Sequence, residues 1–454
     1  MQGLADDIAS HEELARVYHG EVDFDGTTAA ELQQVLDASQ GKLAHITTPD
    51  LVLDQPIDVP SDTHIDGTGS RIWCEVPSAL FLVEGQRGVS LENLDISGNA
   101  DIAVFARDAS DLVVGNCHIH DLRGKAVVVV GSSAYFHILD NEFRQNRQGG
   151  ITVGGGSSYG MLRGNRICSN TGYSNWMAGM VLTNVDAESP ETLWSSFPGE
   201  TPHFVERHTL AGIPASAHDV IVRDNTVEHN QSSGVYLDGV YRCYLTGNTI
   251  QHNDKEGMCL DGGTLGCFVQ GNTVADNGKR ARQSEAALAL DGMLDFGYLE
   301  DGSAVAKLPG ISLDNAAYNT LEANTVRGNW GCGIKAVRCA VRNVIAGNAI
   351  DNNRGANDTF FFVGVELGNA NEELQGEDLD YLPSHQNLVV GNRITGPHYA
   401  GVLISHGCEG NIVSRNVIRG NSNFAILCGS RLSTDLSGNE YDGHIVSRTI
   451  LPFL

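Results

Sequence analysis

Residues 225–277 read NTVEHNQSSGVYLDGVYRCYLTGNTIQHNDKEGMCLDGGTLGCFVQGNTVADN, and this stretch decides the fold. Asn225, Asn248 and Asn272 lie 23 and 24 residues apart, and a second asparagine follows each of them five residues later. A fixed period between ~20 and ~50 residues indicates stacked repeats. A repeat of this length that holds three short strands is typical of one coil of a parallel β-helix.

The same phrase, an asparagine followed by any residue and then an apolar one, recurs along the chain. Further copies begin at Asn141, Asn165, Asn324, Asn348, Asn392, Asn416 and Asn439. Asparagine suits a bend between strands, because it tolerates positive φ and its side chain bonds to nearby backbone. Stacked amides can also bond along a column. We therefore interpret these asparagines as structural.

The N-terminal part of the chain predicts a helix and the first strands. Asp25-Gly26 precede an amphipathic stretch at Thr27–Ala38, and Gly67-Thr-Gly-Ser70 follows three short β-rich runs. This opening and the repeat resemble the pectate-lyase-like superfamily of right-handed parallel β-helix proteins. The resemblance implies an all-β fold, a single right-handed parallel β-helix (solenoid) with an N-terminal capping helix. We expect the capping helix and first strands in 1–60, the β-helix in 61–445 with loop insertions near 184–217 and 369–385, and a tail in 446–454.

Composition excludes several kinds of partner. The 454-residue chain has a net charge of −27, so nucleic acid and anionic membranes are poor partners.

The ten cysteines have no metal-binding spacing, which indicates stacked, buried free thiols. The first 20 residues lack an apolar stretch, so we predict neither a signal peptide nor a membrane span here. This leaves a cytoplasmic protein, or a secreted one whose signal has been removed, and a homo-oligomer is compatible with either.

One face of the predicted helix carries a ladder of acidic side chains. When the coils are aligned on the glycine or alanine before one strand, the first and third following residues are apolar, so the second and fourth point outward. One outward position reads Asp238, Asp261, Asp291 and Asp314, and the neighbouring one includes Tyr236, Lys335 and Glu366. Like charges ~5 Å apart repel, so stability does not explain the ladder. The alternative is that each aspartate caps a turn before glycine or asparagine.

Two insertions leave the chain just beyond this strand. The first, Asn184–Ala217, carries Trp194 and His208, and the second spans 369–385. Long loops on a rigid scaffold commonly carry binding residues, and aromatic walls suit sugar rings. We predict a groove whose substrate-binding residues are Tyr236, Asp314, Lys335, Glu366, Trp194 and His208.

Carboxylates on adjacent coils have the arrangement that glycosidic cleavage needs, one as the acid and one as the base or nucleophile. Their mutual repulsion raises the pKa of one member. The pattern is similar to that of the polygalacturonase clan and of β-helical fructotransferases. By analogy, this resemblance implies catalytic roles for Asp238, Asp261 and Asp291 without a cofactor. The predicted function is cleavage or transfer of glycosidic bonds in an oligo- or polysaccharide.

Two other function classes remain open. In a polysaccharide lyase or uronate epimerase, Asp238, Asp261 and Asp291 would hold Ca²⁺ and Lys335 would take a proton. A plain surface ion pair between Lys335 and Glu366 is the simpler interpretation of those two residues. The third class is a non-catalytic adhesin or phage fibre that binds a glycan.

Overall fold

The structure is a computed structural model that describes residues 2–172, 174–193, 216–278, 296–298, 304–306, 308–353, 362–368, 383–430 and 435–447. It confirms the predicted fold class. The chain forms a parallel β-solenoid of about 14 turns, and each turn contributes one strand to each of three parallel sheets, A, B and C. None of the helices in the described ranges is both long enough and apolar enough to cross a membrane.

The predicted N-terminal helix is confirmed as α2 (Ala29–Ala38). Thr28 caps its first turn: the Thr28 hydroxyl accepts the backbone N–H of Glu31, and the Glu31 carboxylate accepts the backbone N–H of Thr28. Leu32 and Leu36 form its buried face. An additional helix, α1 (Gln2–Leu14), precedes it and packs Ile8 against a side of the solenoid. Two short 3-10 helices span Asn175–Met177 and Pro190–Thr192.

Contacts divide the chain into two compact units, the first formed by 1–199, 213–231 and 240–244 and the second by the remainder. In the first unit, sheet A contains β1 (Glu21–Phe24), β2 (Leu43–Ile46), β5 (His64–Asp66), β8 (Arg87–Glu92), β11 (Ser110–Gly115), β14 (Ala134–Leu139), β17 (Met161–Arg163) and β20 (Ile221–Arg223). Sheet B contains β3 (Asp50–Leu53), β6 (Arg71–Cys74), β9 (Asp95–Gly98), β12 (His118–His120), β15 (Glu142–Arg144), β18 (Arg166–Cys168) and β21 (Thr226–Glu228). Sheet C contains β4 (Ile57–Asp58), β7 (Ala79–Glu84), β10 (Ile102–Arg107), β13 (Lys125–Val130), β16 (Ile151–Val153) and β19 (Met180–Thr183).

The second unit repeats the same three-sheet plan. Its sheet A strands are β23 (Tyr244–Thr246), which begins at the last residue of the first unit, β26 (Phe268–Gln270), β31 (Thr320–Glu322), β34 (Val344–Ala346), β37 (Leu388–Val390) and β40 (Ile412–Ser414). Sheet B contains β24 (Thr249–Gln251), β27 (Thr273–Ala275), β32 (Thr325–Arg327), β35 (Ala349–Asp351), β38 (Arg393–Thr395), β41 (Val417–Arg419) and β43 (Glu440–Tyr441). Sheet C contains β22 (Val235–Asp238), β25 (Met258–Asp261), β30 (Ile311–Asp314), β33 (Ile334–Val337), β36 (Val363–Leu367), β39 (Ala400–Ile404), β42 (Phe424–Cys428) and β44 (His444–Ser447). A separate antiparallel pair joins β28 (Phe296–Tyr298) and β29 (Ala304–Ala306).

The repeated asparagines form buried columns of hydrogen-bonded amides. In the second unit, the Nδ2 of Asn248 donates to the Oδ1 of Asn272 at 2.9 Å, and the Nδ2 of Asn272 donates to the Oδ1 of Asn324 at 3.0 Å. The backbone N–H of each donor asparagine reaches the same oxygen. The asparagine five residues later stacks in the same way, as from Asn253 to Asn277. These bonds fix the stacking of one coil on the next.

A third column was not predicted from the sequence. It joins Asn319, Asn343, Asn387 and Asn411, and it continues a position that holds cysteine in earlier coils. Cys267 belongs to this position, since its backbone N–H donates to the Oδ1 of Asn319. All ten cysteines are buried and none forms a disulfide, which confirms the predicted buried thiols.

Candidate functional site

Sheet C of the second unit brings two of the predicted catalytic aspartates together. β22 pairs with β25 in register, so Asp238 lies beside Asp261, and Tyr236 lies beside Cys259. The apolar residues that alternate with them, Val235 and Leu237 among them, are at most 1% exposed. The predicted neighbourhood of Asp238 and Asp261 is therefore present in the structure.

The predicted four-step ladder is wrong in one step. β25 pairs directly with β30, which places Cys259 beside Ser312 and leaves no strand between them. Asp291 lies outside the described residues, as do Trp194 and His208. The predicted coil between β25 and β30 is absent because Asn272 stacks directly on Asn324, which lies 52 residues later. The intervening residues are therefore an insertion in one coil and not a coil of their own. The aspartate ladder of the described residues consists of Asp238, Asp261 and Asp314.

Asp238 and Asp261 form an electrostatically coupled pair. Burial, and then the charge of Asp261, raise the pKa of Asp238 from its ordinary value of 3.8 to about 7. The Asp261 carboxylate accepts the Tyr236 hydroxyl at 3.1 Å and the backbone N–H of Gly262 at 2.7 Å. Asp238 is therefore suited to hold a proton near neutral pH. The two hydrogen bonds fix the orientation of the Asp261 carboxylate.

The glycine that follows Asp261 is required by this pair. Gly262 has a φ of +62°, and a Cβ built on it would lie 1.6 Å from the Oδ1 of Asp238. Only glycine allows the Asp238 carboxylate to lie at this place. The turn-capping interpretation thus holds for the Oδ1 of Asp261, which accepts the backbone N–H of Gly262 in the turn. The Oδ2 of Asp261 instead accepts the Tyr236 hydroxyl.

Asp314, which the sequence predicts to bind substrate, is held in an ion pair. Its carboxylate binds Arg338 through both of its oxygens, and the side chain of Asp314 is buried. A bidentate guanidinium neutralises a carboxylate and fixes its orientation. This ion pair sets Asp314 apart from Asp238 and Asp261, for which the described residues provide no arginine or lysine partner. Arg338 was not predicted from the sequence. Val337 is the residue of β33 that pairs with Asp314, and Arg338 directly follows Val337.

Lys335 and Glu366 are neighbours, as predicted, but they are not a surface pair. They lie in register on β33 and β36 and are 5% and 8% exposed. Burial lowers the pKa of Lys335, and the charges of Glu366 and Glu256 partly oppose that shift. The Cys332 thiol donates to the Glu366 carboxylate at 3.0 Å. Glu256, which sequence reasoning missed, accepts the Ser233 hydroxyl at 2.8 Å.

The Ca²⁺ ligands of the lyase prediction lie only in part within the described residues, which include Asp238 and Asp261 but not Asp291. Calcium requires about six to eight oxygen ligands. Arg338 binds both oxygens of Asp314, so the described ladder offers a cation the carboxylates of Asp238 and Asp261. Among the described residues, the group of three side chains with metal-binding spacing lies elsewhere, at Asp95, His118 and His120.

Comparisons with known proteins place the fold. The family model for a right-handed beta helix region matches residues 59–188 and 303–447, more than half of the chain. A second family model, described as a periplasmic copper-binding protein (NosD), matches residues 205–359. A search of curated proteins found no match.

Solved structures with the same fold are distant in sequence. The A-module of the mannuronan C-5 epimerase AlgE4 from Azotobacter vinelandii aligns at 12% identity with a TM-score of 0.50, over 94% of this chain and 100% of that one. A mutant tailspike protein of the E. coli bacteriophage HK620, in complex with a pentasaccharide, aligns at 11% identity with a TM-score of 0.52, over 92% of this chain and 75% of that one. At such identities the likeness establishes the fold alone. With the family model matching most of its coils, the chain belongs to the right-handed β-helix family.

Proposed function

We propose that this protein is a carbohydrate-active enzyme that cleaves or transfers glycosidic bonds of an oligo- or polysaccharide, with Asp238 and Asp261 as the reacting pair. The observation that carries the proposal is the in-register pairing of these two carboxylates on neighbouring coils. Neighbouring strands lie ~4.8 Å apart. This spacing is close to the ~5–5.5 Å between the carboxyl groups of retaining glycosidases and shorter than the inverting separation. A double displacement with retention of configuration therefore fits the pair best.

Each aspartate has a role that follows from its surroundings. Asp238, with a pKa of about 7, can protonate the oxygen of the leaving sugar near neutral pH. Asp261, oriented by Tyr236 and Gly262, can attack the anomeric carbon and form a glycosyl ester. Asp238, now deprotonated, then takes a proton from the molecule that opens the ester. Water in that position gives hydrolysis, and a sugar hydroxyl gives transfer.

Two proteins that share this fold have names that point to glycans. One is a mannuronan epimerase, and the other is a tailspike solved with a pentasaccharide. Since the likeness extends to the fold alone, their names support a glycan as the partner class only in combination with the carboxylate pair. A groove over sheet C that binds a sugar chain would agree with the two names and with the position of the carboxylate pair.

A second candidate function is proton abstraction from a uronate, as in a lyase or epimerase. The observation that favours it is Lys335, a buried lysine whose pKa is lowered by that burial. A lysine with a lowered pKa is neutral more often and serves better as a base. Glu366, beside it, would orient the ammonium formed when the proton is taken.

A glycan panel with three matched variants distinguishes these functions. Neutral and uronate polysaccharides are incubated with the wild type, Asp261→Asn, Lys335→Met and the control Asp276→Asn, whose carboxylate is 41% exposed and follows a strand of sheet B, away from the pair. New reducing ends, absorbance near 230 nm and inversion at C5 are measured separately. We expect reducing ends or transfer products without absorbance, and a loss of at least ~100-fold in Asp261→Asn.

Each outcome has a defined meaning. Turnover by Asp261→Asn that equals the wild-type rate contradicts the proposal. Absorbance near 230 nm, or C5 inversion, that disappears in Lys335→Met establishes the second candidate instead. Saturable binding of one glycan without any product shows a non-catalytic binding protein.

A further inference from the structure

Strand β12 carries two histidines on one outward face of the first unit. His118 and His120 are separated by Ile119, which is fully buried, so the period of two in a strand places both imidazoles on the opposite side. The rings stack with centroids 4.3 Å apart and an interplanar angle of 27°. Asp95 lies beside them, because β9 pairs with β12 and places Asp95 in register with His118.

The three side chains present their donor atoms at the spacing of a metal site. The Oδ1 of Asp95 lies 3.0 Å from the Nε2 of His120 and 3.5 Å from the Nδ1 of His118. A metal ion ~2.0–2.2 Å from each of three nitrogen or oxygen ligands holds those ligands ~3.0–3.5 Å apart. The two separations from Asp95 agree with this requirement, and the donor atoms of all three residues lie within 4.8 Å of one another. Side-chain exposures of 18% to 37% leave the group accessible from solvent.

The opposite nitrogen of each ring also faces a carboxylate. The Nδ1 of His120 lies 2.6 Å from the Oδ2 of Asp121, and the Nε2 of His118 lies 3.4 Å from the Oε2 of Glu142. A metal-binding histidine typically donates its other N–H to a carboxylate, which fixes the tautomer and raises the basicity of the ligating nitrogen. Both histidines therefore have the outer partner that a ligand needs.

Arg144 competes with this arrangement. Its Nε donates to the Nε2 of His118 at 2.8 Å, which requires the proton of that imidazole to be on Nδ1. Metal binding at Nδ1 moves the proton to Nε2, where Glu142 accepts it and Arg144 must turn away. Arg144 thus opposes metal binding at His118.

We propose that Asp95, His118 and His120 form a binding site for one divalent transition-metal ion of the Zn²⁺ class, with its remaining coordination positions open to water. Two imidazoles and one carboxylate are the ligand types that such ions prefer over Ca²⁺ or Mg²⁺. The site lies on sheet B of the first unit. It is separate in sequence from the Asp238–Asp261 pair and from residues 205–359, which match the copper-binding family model.

Zinc binding to the full chain tests the site. The protein, free of any affinity tag and dialysed against EDTA, is titrated with Zn²⁺ by calorimetry in the wild type, His120→Ala, Asp95→Asn, Arg144→Ala and the control His45→Ala. His45 also lies between two carboxylates, Asp66 at 3.0 Å and Glu21 at 3.6 Å, but it belongs to no such three-ligand group among the described residues. Melting temperatures without zinc establish that each variant folds.

We expect one saturable equivalent of Zn²⁺ in the wild type and in His45→Ala. Binding weakens by at least ~100-fold in His120→Ala and Asp95→Asn, since loss of even an outer partner typically costs ~10–100-fold. Arg144→Ala binds Zn²⁺ more tightly than the wild type, a result that a simple hydrogen-bonded cluster does not produce. The proposal is overturned if the wild type takes up no stoichiometric Zn²⁺, or if Asp95→Asn and His120→Ala bind it as tightly as the wild type.

Discussion

Replacing Asp238 by asparagine should abolish activity and yet stabilise the fold at neutral and alkaline pH. The pKa of Asp238 lies at about 7 in the folded protein, against 3.8 ordinarily, first because partial burial removes water from its carboxylate and then because of the charge of Asp261 beside it. Each unit of difference between the folded and unfolded pKa corresponds to ~1.36 kcal/mol. Ionising Asp238 therefore lowers the free energy of unfolding by ~4 kcal/mol.

The sign of the effect depends on pH. Well below pH ~4 the Asp238 carboxyl is protonated in the folded and in the unfolded chain, so its ionisation does not change the free energy of unfolding. As the pH rises from ~4 to ~7 the unfolded chain ionises more readily than the folded one, so the wild type loses stability that an asparagine retains. Asp238→Asn should thus exceed the wild type in stability by less than ~1 kcal/mol near pH ~4 and by ~4 kcal/mol at pH ~8.

Urea denaturation at pH 4, 6 and 8, followed by tryptophan fluorescence, measures this difference. Asp276→Asn is the control, because its carboxylate is 41% exposed and its substitution should change the free energy of unfolding by less than ~0.5 kcal/mol at each pH. A gain in Asp238→Asn that is the same at pH 4 and pH 8, or a variant less stable than the wild type at pH 8, would refute the coupling of the two aspartates.

Two further predictions concern the core. Asn324→Ala should lower the free energy of unfolding by ~2–4 kcal/mol, because it removes the acceptor of the Asn272 backbone N–H and a donor to the Val269 carbonyl, both buried. Asn423→Ala, at an exposed position of the same unit, should change it by less than ~0.5 kcal/mol, and equal effects of the two in urea denaturation would contradict the role of the columns. The ten cysteines should be inert to Ellman's reagent in the native protein at pH 8, because all are buried and burial raises the pKa of Cys117 to about 12. Rapid labelling of several thiols before denaturation would be inconsistent with that burial.

The sequence predicts the fold well because the coil is a local unit with a local signal. The asparagines at 141, 165, 248 and 272 recur at the coil period, and the amides stack as that period requires. α2 was predictable for the same reason, since Thr28 and Glu31 form a capping box within four residues. By contrast, α1 has few apolar residues, and its position depends on Ile8 packing against strands more than a hundred residues away.

The candidate site was only half predictable, because it depends on which coil follows which. Asp238 and Asp261 are one uninterrupted coil apart, and their pairing follows from the period. The Leu-Asp-Gly phrase at Asp291 copies theirs and predicts a place beside them, but the flanking asparagines of a true coil are missing there. The partners of Asp314 and Glu366, namely Arg338 and Cys332, come from neighbouring coils. Such contacts join residues that are distant in sequence and become neighbours only when the coils stack. A single sequence therefore contains no local signal for them.

The asparagine columns have a direction, and this direction bears on how the protein is made. Asn141 donates to Asn165, Asn165 to Asn225, Asn272 to Asn324 and Asn392 to Asn416, so each of these side-chain donors points toward the later coil. On a ribosome, the most recently completed coil would present a row of unsatisfied amide donors to the segment that emerges next. Each finished turn is then a template for its successor, and the chain can assemble in the order of its synthesis. If the ribosome stalls between coils, the last completed coil of the nascent chain would expose the same row of donors. A second nascent copy of the chain could then bind to that exposed edge.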